Sequence, residues 1–194
     1  MSKSKIVSTY TLSLRKVRKI HRTMGALLFS LFLIIAITGL LLGWKKNSNG
    51  IILPKSFQGT TQSLENWLSL NELQLIAFQT LKDSVDKNID LNIQRIDARP
   101  EKGMIKFVFD NHYFGVQLDG ATGKVLAITK RRSDFFENIH DGSILDIIFG
   151  TKGEIIKLIY TTIMGISLII FTITGFWLWY GPKLKKKGIK TLVK

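Results

Sequence analysis

Few side chains in this chain can hold a metal or move a proton, and their types narrow the chemistry. No cysteine is present, which removes disulfides, thiolate zinc sites, iron–sulfur clusters and thioether-attached macrocycles. The histidines are His21, His112 and His140. His21 follows Lys19-Ile20 at the mouth of an apolar run. Two readings stand there: a basic residue extending the juxtamembrane Lys/Arg cluster, or a ligand, because neutral imidazole suits transition metals and ionisable groups at membrane depth tend to be functional. His140 lies beside Asp141, a carboxylate placed to accept its second ring N–H and fix the tautomer. The alternative there is a helix-surface histidine with no role. His112 falls in a tight turn, where histidine tolerates unusual backbone angles, and reads as structural. No Ser-His-Asp order, Gly-rich phosphate loop or His-Glu-x-x-His pattern occurs, so hydrolase and nucleotide-dependent chemistries have no support.

The elements that must position these residues begin with two uncharged apolar runs, Met24 to Trp44 and Leu158 to Tyr180. Each exceeds the roughly 20 residues that a helix needs to cross a bilayer, and both read as spanning helices. The first lacks a small-x-small cleavage site at its end, Leu42-Gly43-Trp44-Lys45-Lys46, and is expected to remain as an uncleaved anchor. Near their ends the runs carry matching sequences, Leu-Ile-Ile-Ala-Ile-Thr38-Gly39 and Leu-Ile-Ile-Phe-Thr-Ile-Thr174-Gly175. Small residues at such positions, with Gly25 and Gly165, allow close helix packing or leave room for a flat ligand. Trp44, Trp177, Trp179 and Tyr180 fall where amphipathic rings favour the headgroup layer.

The formal charge is +14, but it is not spread evenly. Residues 1–23 carry Lys3, Lys5, Arg15, Lys16, Arg18, Lys19 and Arg22 with no acid, residues 182–194 carry six lysines and no acid, and the segment 45–154 is balanced. A charge excess confined to the flanks of the spans reports orientation and contact with anionic lipid, and argues against nucleic-acid binding. The expected organisation is a cytoplasmic basic tail (1–23), a first span (24–44), an extracytoplasmic domain (45–154), a second span (155–181) and a second cytoplasmic tail (182–194). Both termini then lie in the cytoplasm of a bacterial inner membrane.

Within the central segment, residues 45–62 are rich in Ser, Asn, Gly and Thr around Pro54 and read as a linker, with order beginning near Leu64. From Ser69 to Val85 apolar residues recur at helical spacing, and Ser69 with Glu72 suggests a capping box. Leu91–Ala98, Met104–Asp110, Tyr113–Leu118 and Val125–Thr129 have strand character and are separated by turn-like breaks. The economical fold is an antiparallel sheet packed on one amphipathic helix. The stretch 133–149, apolar but interrupted by Asp141-Gly142 and Asp146, reads as an interfacial helix leading to the second span. The fold class is α+β membrane protein: two transmembrane helices flanking one extracytoplasmic domain.

The ordered set of motifs resembles the PepSY-associated transmembrane family. These are His21-Arg22-Thr23-Met24-Gly25, Thr38-Gly39, Asp119-Gly120-Ala121-Thr122-Gly123-Lys124-Val125, Ile139-His140-Asp141-Gly142 and Thr174-Gly175-Phe176-Trp177-Leu178-Trp179, covering nearly the whole chain. The resemblance implies a PepSY domain inserted between membrane helices. Larger members of the family resemble inner-membrane reductases of iron and siderophore uptake that hold b-type haem between histidines on their helices, and this chain has two spans where they have four or more. What is then expected is a haem b electron-transfer subunit with His21 and His140 as haem-iron ligands. Two alternatives stand beside it, a non-catalytic binding or assembly subunit of a larger envelope complex and a PepSY-type inhibitor of a protease. No self-contained catalytic motif marks the chain as an enzyme. One histidine per membrane face cannot complete a bis-histidine site, so haem ligation of that kind calls for a homodimer or a partner membrane subunit.

Overall fold

The computed structural model of the chain describes the backbone of residues 3–192 and the side chains of 14–184. The terminal positions of the two basic tails, 1–2 and 193–194, lie outside the described residues. The chain forms two compact units, one built from residues up to Ile37 with those from Asp141 onward, the other from Thr38–His140.

In the first unit the main elements are two long helices. Helix α1 (Lys3–Gly43) continues from the first unit into the first residues of the second, and α5 (Ile155–Leu192) closes the chain. Both extend beyond the apolar runs, because the flanking Lys/Arg-rich residues are themselves good helix formers and nothing before Gly43 breaks the first helix. Leu14–Gly43 and Ile155–Leu184 are long and apolar enough to span a membrane. In the most apolar window of each, only 6% and 11% of the residues are buried within the chain. Side chains such as Leu27, Phe29 and Leu40 on α1, and Leu158, Ile169 and Ile173 on α5, therefore point outward, and only an apolar solvent satisfies such a surface. The chain is a membrane protein.

Ahead of α5 lie α3 (Arg132–Asp141) and α4 (Ser143–Phe149). The single interfacial helix expected over 133–149 is in fact two, broken at Gly142. Its φ of +84° is open to glycine, and a Cβ there would stand 2.5 Å from the Tyr160 ring. The acids that interrupt this apolar stretch have local work. Asp146 accepts from the backbone N–H groups of Ile156 (3.1 Å) and Lys157 (2.7 Å) and from the Thr151 hydroxyl, satisfying orphan donors at the start of α5.

The second unit contains a four-stranded antiparallel meander in the order β1 (Ile93–Arg99), β2 (Met104–Phe109), β3 (Phe114–Asp119), β4 (Val125–Lys130). One face receives α2 (Leu70–Ser84), whose Leu73, Ala77 and Leu81 pack against Ile105, Phe107, Phe109, Val116 and Leu118. The helix begins as its sequence requires: Ser69 and Glu72 form a reciprocal capping box. Strands and helix lie within a residue or two of the expected bounds.

The other face of the sheet departs from expectation. All six residues of β2 are buried, including Lys106, and so are Gln117 and Asp119 of β3. The segment expected to be an unordered linker up to Leu64 lies across this face as a strap. Gln117 accepts from Phe57 N–H (3.2 Å) and donates to the Lys55 carbonyl (2.9 Å), while Asp119 accepts from the Thr60 N–H and hydroxyl. Gly59 donates its N–H to the Lys102 carbonyl, and it passes so near the sheet that a Cβ would lie 2.0 Å from the Gly103 oxygen. A sequence rich in Ser, Thr and Gly suits a segment whose backbone must hydrogen-bond side chains and approach a sheet closely.

Candidate functional site

Each unit contains one contact between a histidine and a Thr-Gly pair, and the two contacts are built alike. In the first unit His21 of α1 meets α5, with its Nδ1 2.8 Å from Thr174 Oγ1. A Cβ on the next residue, Gly175, would lie 3.5 Å from His21 Cε1, so glycine leaves the imidazole space against the helix. The ring also packs on Phe171 with centroids 4.1 Å apart, and Phe171 in turn fills the space beside Gly25. In the second unit His140, at the end of α3, places Nδ1 2.9 Å from Thr38 Oγ1, and a Cβ on Gly39 would lie 3.3 Å from His140 Cε1. The two similar sequences at the ends of the apolar runs thus perform the same task, each receiving a histidine from a different element.

Proton counting assigns the tautomer in the first contact. A threonine hydroxyl has one hydrogen. That of Thr174 donates back to the carbonyls of Ile170 (2.7 Å) and Phe171 (3.1 Å), as is common for threonine in spanning helices. Thr174 Oγ1 is then the acceptor toward the ring, and His21 donates through Nδ1–H. A neutral imidazole so held carries its lone pair on Nε2, the arrangement in which a second group orients a histidine ligand for a metal.

The expected partner of His140 is corrected. Asp141 does not accept from the imidazole. It accepts from Ser143, through both the backbone N–H (2.9 Å) and the hydroxyl, and pairs with Lys157 Nζ at 3.1 Å. Although burial opposes its ionisation, the bonds from Ser143 and Lys157 hold the Asp141 carboxyl below the usual carboxylate range. Thr38 takes the orienting position instead. No sequence neighbour of His140 signals this. The available sign was the repetition of Ile-Thr-Gly in the two apolar runs.

His112 is placed as expected for a structural residue. Its Nδ1 accepts from Phe114 N–H at the β2–β3 turn and its Nε2 lies 2.9 Å from the Asp90 carbonyl, which ties that turn to the segment ahead of β1. The unusual backbone angles fall on its neighbours Asn111 (φ +63°) and Tyr113 (φ +60°) rather than on His112.

Among the described residues, no three His, Asp or Glu side chains converge on one point as a metal centre would require. The imidazoles of His21 and His140 are the donors available for iron, one in each contact. The donor type and the Nδ1–H tautomer of His21 fit a haem-iron ligand.

A family model described as the PepSY-associated TM region matches residues 18–193, a stretch that contains both histidine contacts and the whole sheet. No curated protein and no solved structure matches the chain.

Proposed function

The chain belongs to the PepSY-associated TM region family, and on that premise we propose that it is a haem b electron-transfer subunit of the bacterial inner membrane, acting in iron or siderophore reduction. In this reading both termini lie in the cytoplasm and the sheet domain outside, a topology that the basic flanks and the neutral middle segment support. The observation that carries the reading is the duplicated contact, in which the threonine of a Thr-Gly pair hydrogen-bonds an imidazole and the glycine gives the ring room against the helix.

The residues act as follows. Thr174 holds His21 through Nδ1, which leaves Nε2 to face a ligand, and Thr38 steadies His140 in the corresponding contact. Phe171 covers one face of His21 and limits access of water to it. Bound haem would supply one-electron transfer between a reduced donor and an acceptor. Two chains related by a two-fold axis would pair His21 with its copy and His140 with its copy, giving a bis-histidine site in each half of the membrane. The electron donor is then a membrane quinol or another protein, since the chain has no nucleotide-binding motif. The tight seating of both imidazoles on threonine also suits a colourless assembly subunit in which these contacts only lock helices together.

A visible spectrum of the full chain purified in detergent separates the two. The haem reading predicts a Soret band that is diminished in His21→Ala and in His140→Ala. A colourless wild-type protein that has been supplied with haem during expression would leave the assembly reading.

A further inference from the structure

The sheet domain carries a pocket whose charge nothing above explains. It has a volume of about 490 Å³ and lies between the segment that leaves α1 and the β1–β2 turn. Lys46, Lys55, Arg99 and Lys102 line it together with Asn49 and Ser56, and no Asp or Glu is among its lining residues. The central segment as a whole is neutral, so four cations around one opening are a local imbalance. Among the described residues none of these four has a carboxylate within 4.0 Å, whereas Arg95, Arg131 and Lys157 all do. Arg99 is instead held by a neutral partner, with Nη1 3.0 Å from Ser56 Oγ, which fixes its fork and leaves its charge uncompensated. The backbone around it is fixed as well, because the Lys55 carbonyl accepts from the buried Gln117.

Position decides which anion fits. Lys46 sits in the short 3₁₀ turn Lys45–Asn47 that follows the apolar run of α1, two residues beyond Trp44, which is 66% exposed and of the type that anchors in the headgroup layer. Ile51, next along the chain from the pocket residues Asn49 and Gly50, is 65% exposed. One wall of the pocket therefore begins at headgroup depth and has apolar neighbours, while Lys55, Arg99 and Lys102 extend the positive surface away from it. We propose that this pocket binds the phosphate headgroup of an anionic phospholipid, with Arg99 as the oriented fork and Lys46, Lys55 and Lys102 as surrounding point charges. The lipid would pin the domain to the membrane surface on the side opposite the basic tails. This site is independent of haem.

The test uses the full chain in phosphatidylcholine vesicles containing a photoactivatable phosphatidylglycerol, with adducts located by mass spectrometry. Adducts are expected within 45–56 and 99–102, and Lys55→Gln with Lys102→Gln should lower their yield about tenfold or more while adducts on the basic tails stay unchanged. The tail adducts and an unchanged thermal unfolding midpoint show that the variant is inserted and folded; Lys46→Gln, in the exposed turn that follows α1, is the second variant should the first unfold. Adducts confined to the tails, or adducts at the pocket that the substitutions do not reduce, would overturn the proposal. So would protection of the pocket lysines from amine modification by inorganic phosphate with none by phosphatidylglycerol, which would assign it to a soluble phosphate compound.

Discussion

Two residues carry charges or protons whose consequences can be measured directly. Thr174 is the acceptor that keeps His21 in the Nδ1–H tautomer. Thr174→Val preserves shape and removes that acceptor, and Thr174→Ser restores it. The first variant is expected to weaken the contact by about 0.5–1 kcal/mol in thermal unfolding and to shift the potential of any bound haem, with recovery in the second. Lys106 is the other. It is 1% exposed, and among the described residues no carboxylate lies within 4.0 Å of its ammonium. Burial, reinforced by Arg131 and Arg99 and only partly offset by Asp97 across the strand pair, pushes its ammonium down to about 8. Between that value and the ordinary 10.5 the unfolded chain binds more protons than the folded one, so stability should rise with pH through this window and carry its full penalty below it. Lys106→Met should raise domain stability at pH 7 by about 1–2 kcal/mol and remove this part of the pH dependence, as read by Trp67 fluorescence during denaturant unfolding. Equal pH profiles for the two proteins would show that Lys106 is paired in solution.

At the scale of elements, the parts governed by local periodicity were legible in the residues. Ser69 and Glu72 announce α2, and the alternation in Ile105, Phe107 and Phe109 announces the face that α2 covers. The strap was not legible, because 52–62 has a linker's composition and its order comes from partners about sixty residues away, Gln117 and Asp119. Gln117 and Asp119 alternate with the core residues Val116 and Leu118, and nothing near them in the chain signals that a distant segment buries them. The same holds for the candidate site: His21 and His140 stand out by type, but the threonines that hold them are 153 and 102 residues distant. Close approach of strap and sheet gives its own prediction. Gly59→Val should destabilise the domain by roughly 2–3 kcal/mol, because its Cβ would collide with the Gly103 carbonyl and separate Thr60 from Asp119. A midpoint unchanged from wild type would mean that the strap does not pack in solution.

At the scale of the whole molecule, ligand counting sets the argument. The chain offers His21 and His140 in separate contacts, and the seventeen steps along α1 from His21 to Thr38 amount to about 26 Å of helix. One iron cannot take both. Cysteine is absent, so the haem of the proposed function would be b-type, and a second chain would be the simplest source of the further ligand that six-coordination needs. Pigment and dimer then depend on one another. The most direct measurement is haem content per chain together with mass in detergent, for the wild type and for His21→Ala and His140→Ala. The account predicts a dimer with six-coordinate haem, with pigment and dimer mass falling together as either histidine is removed. A monomer that keeps a full complement of six-coordinate haem would contradict it.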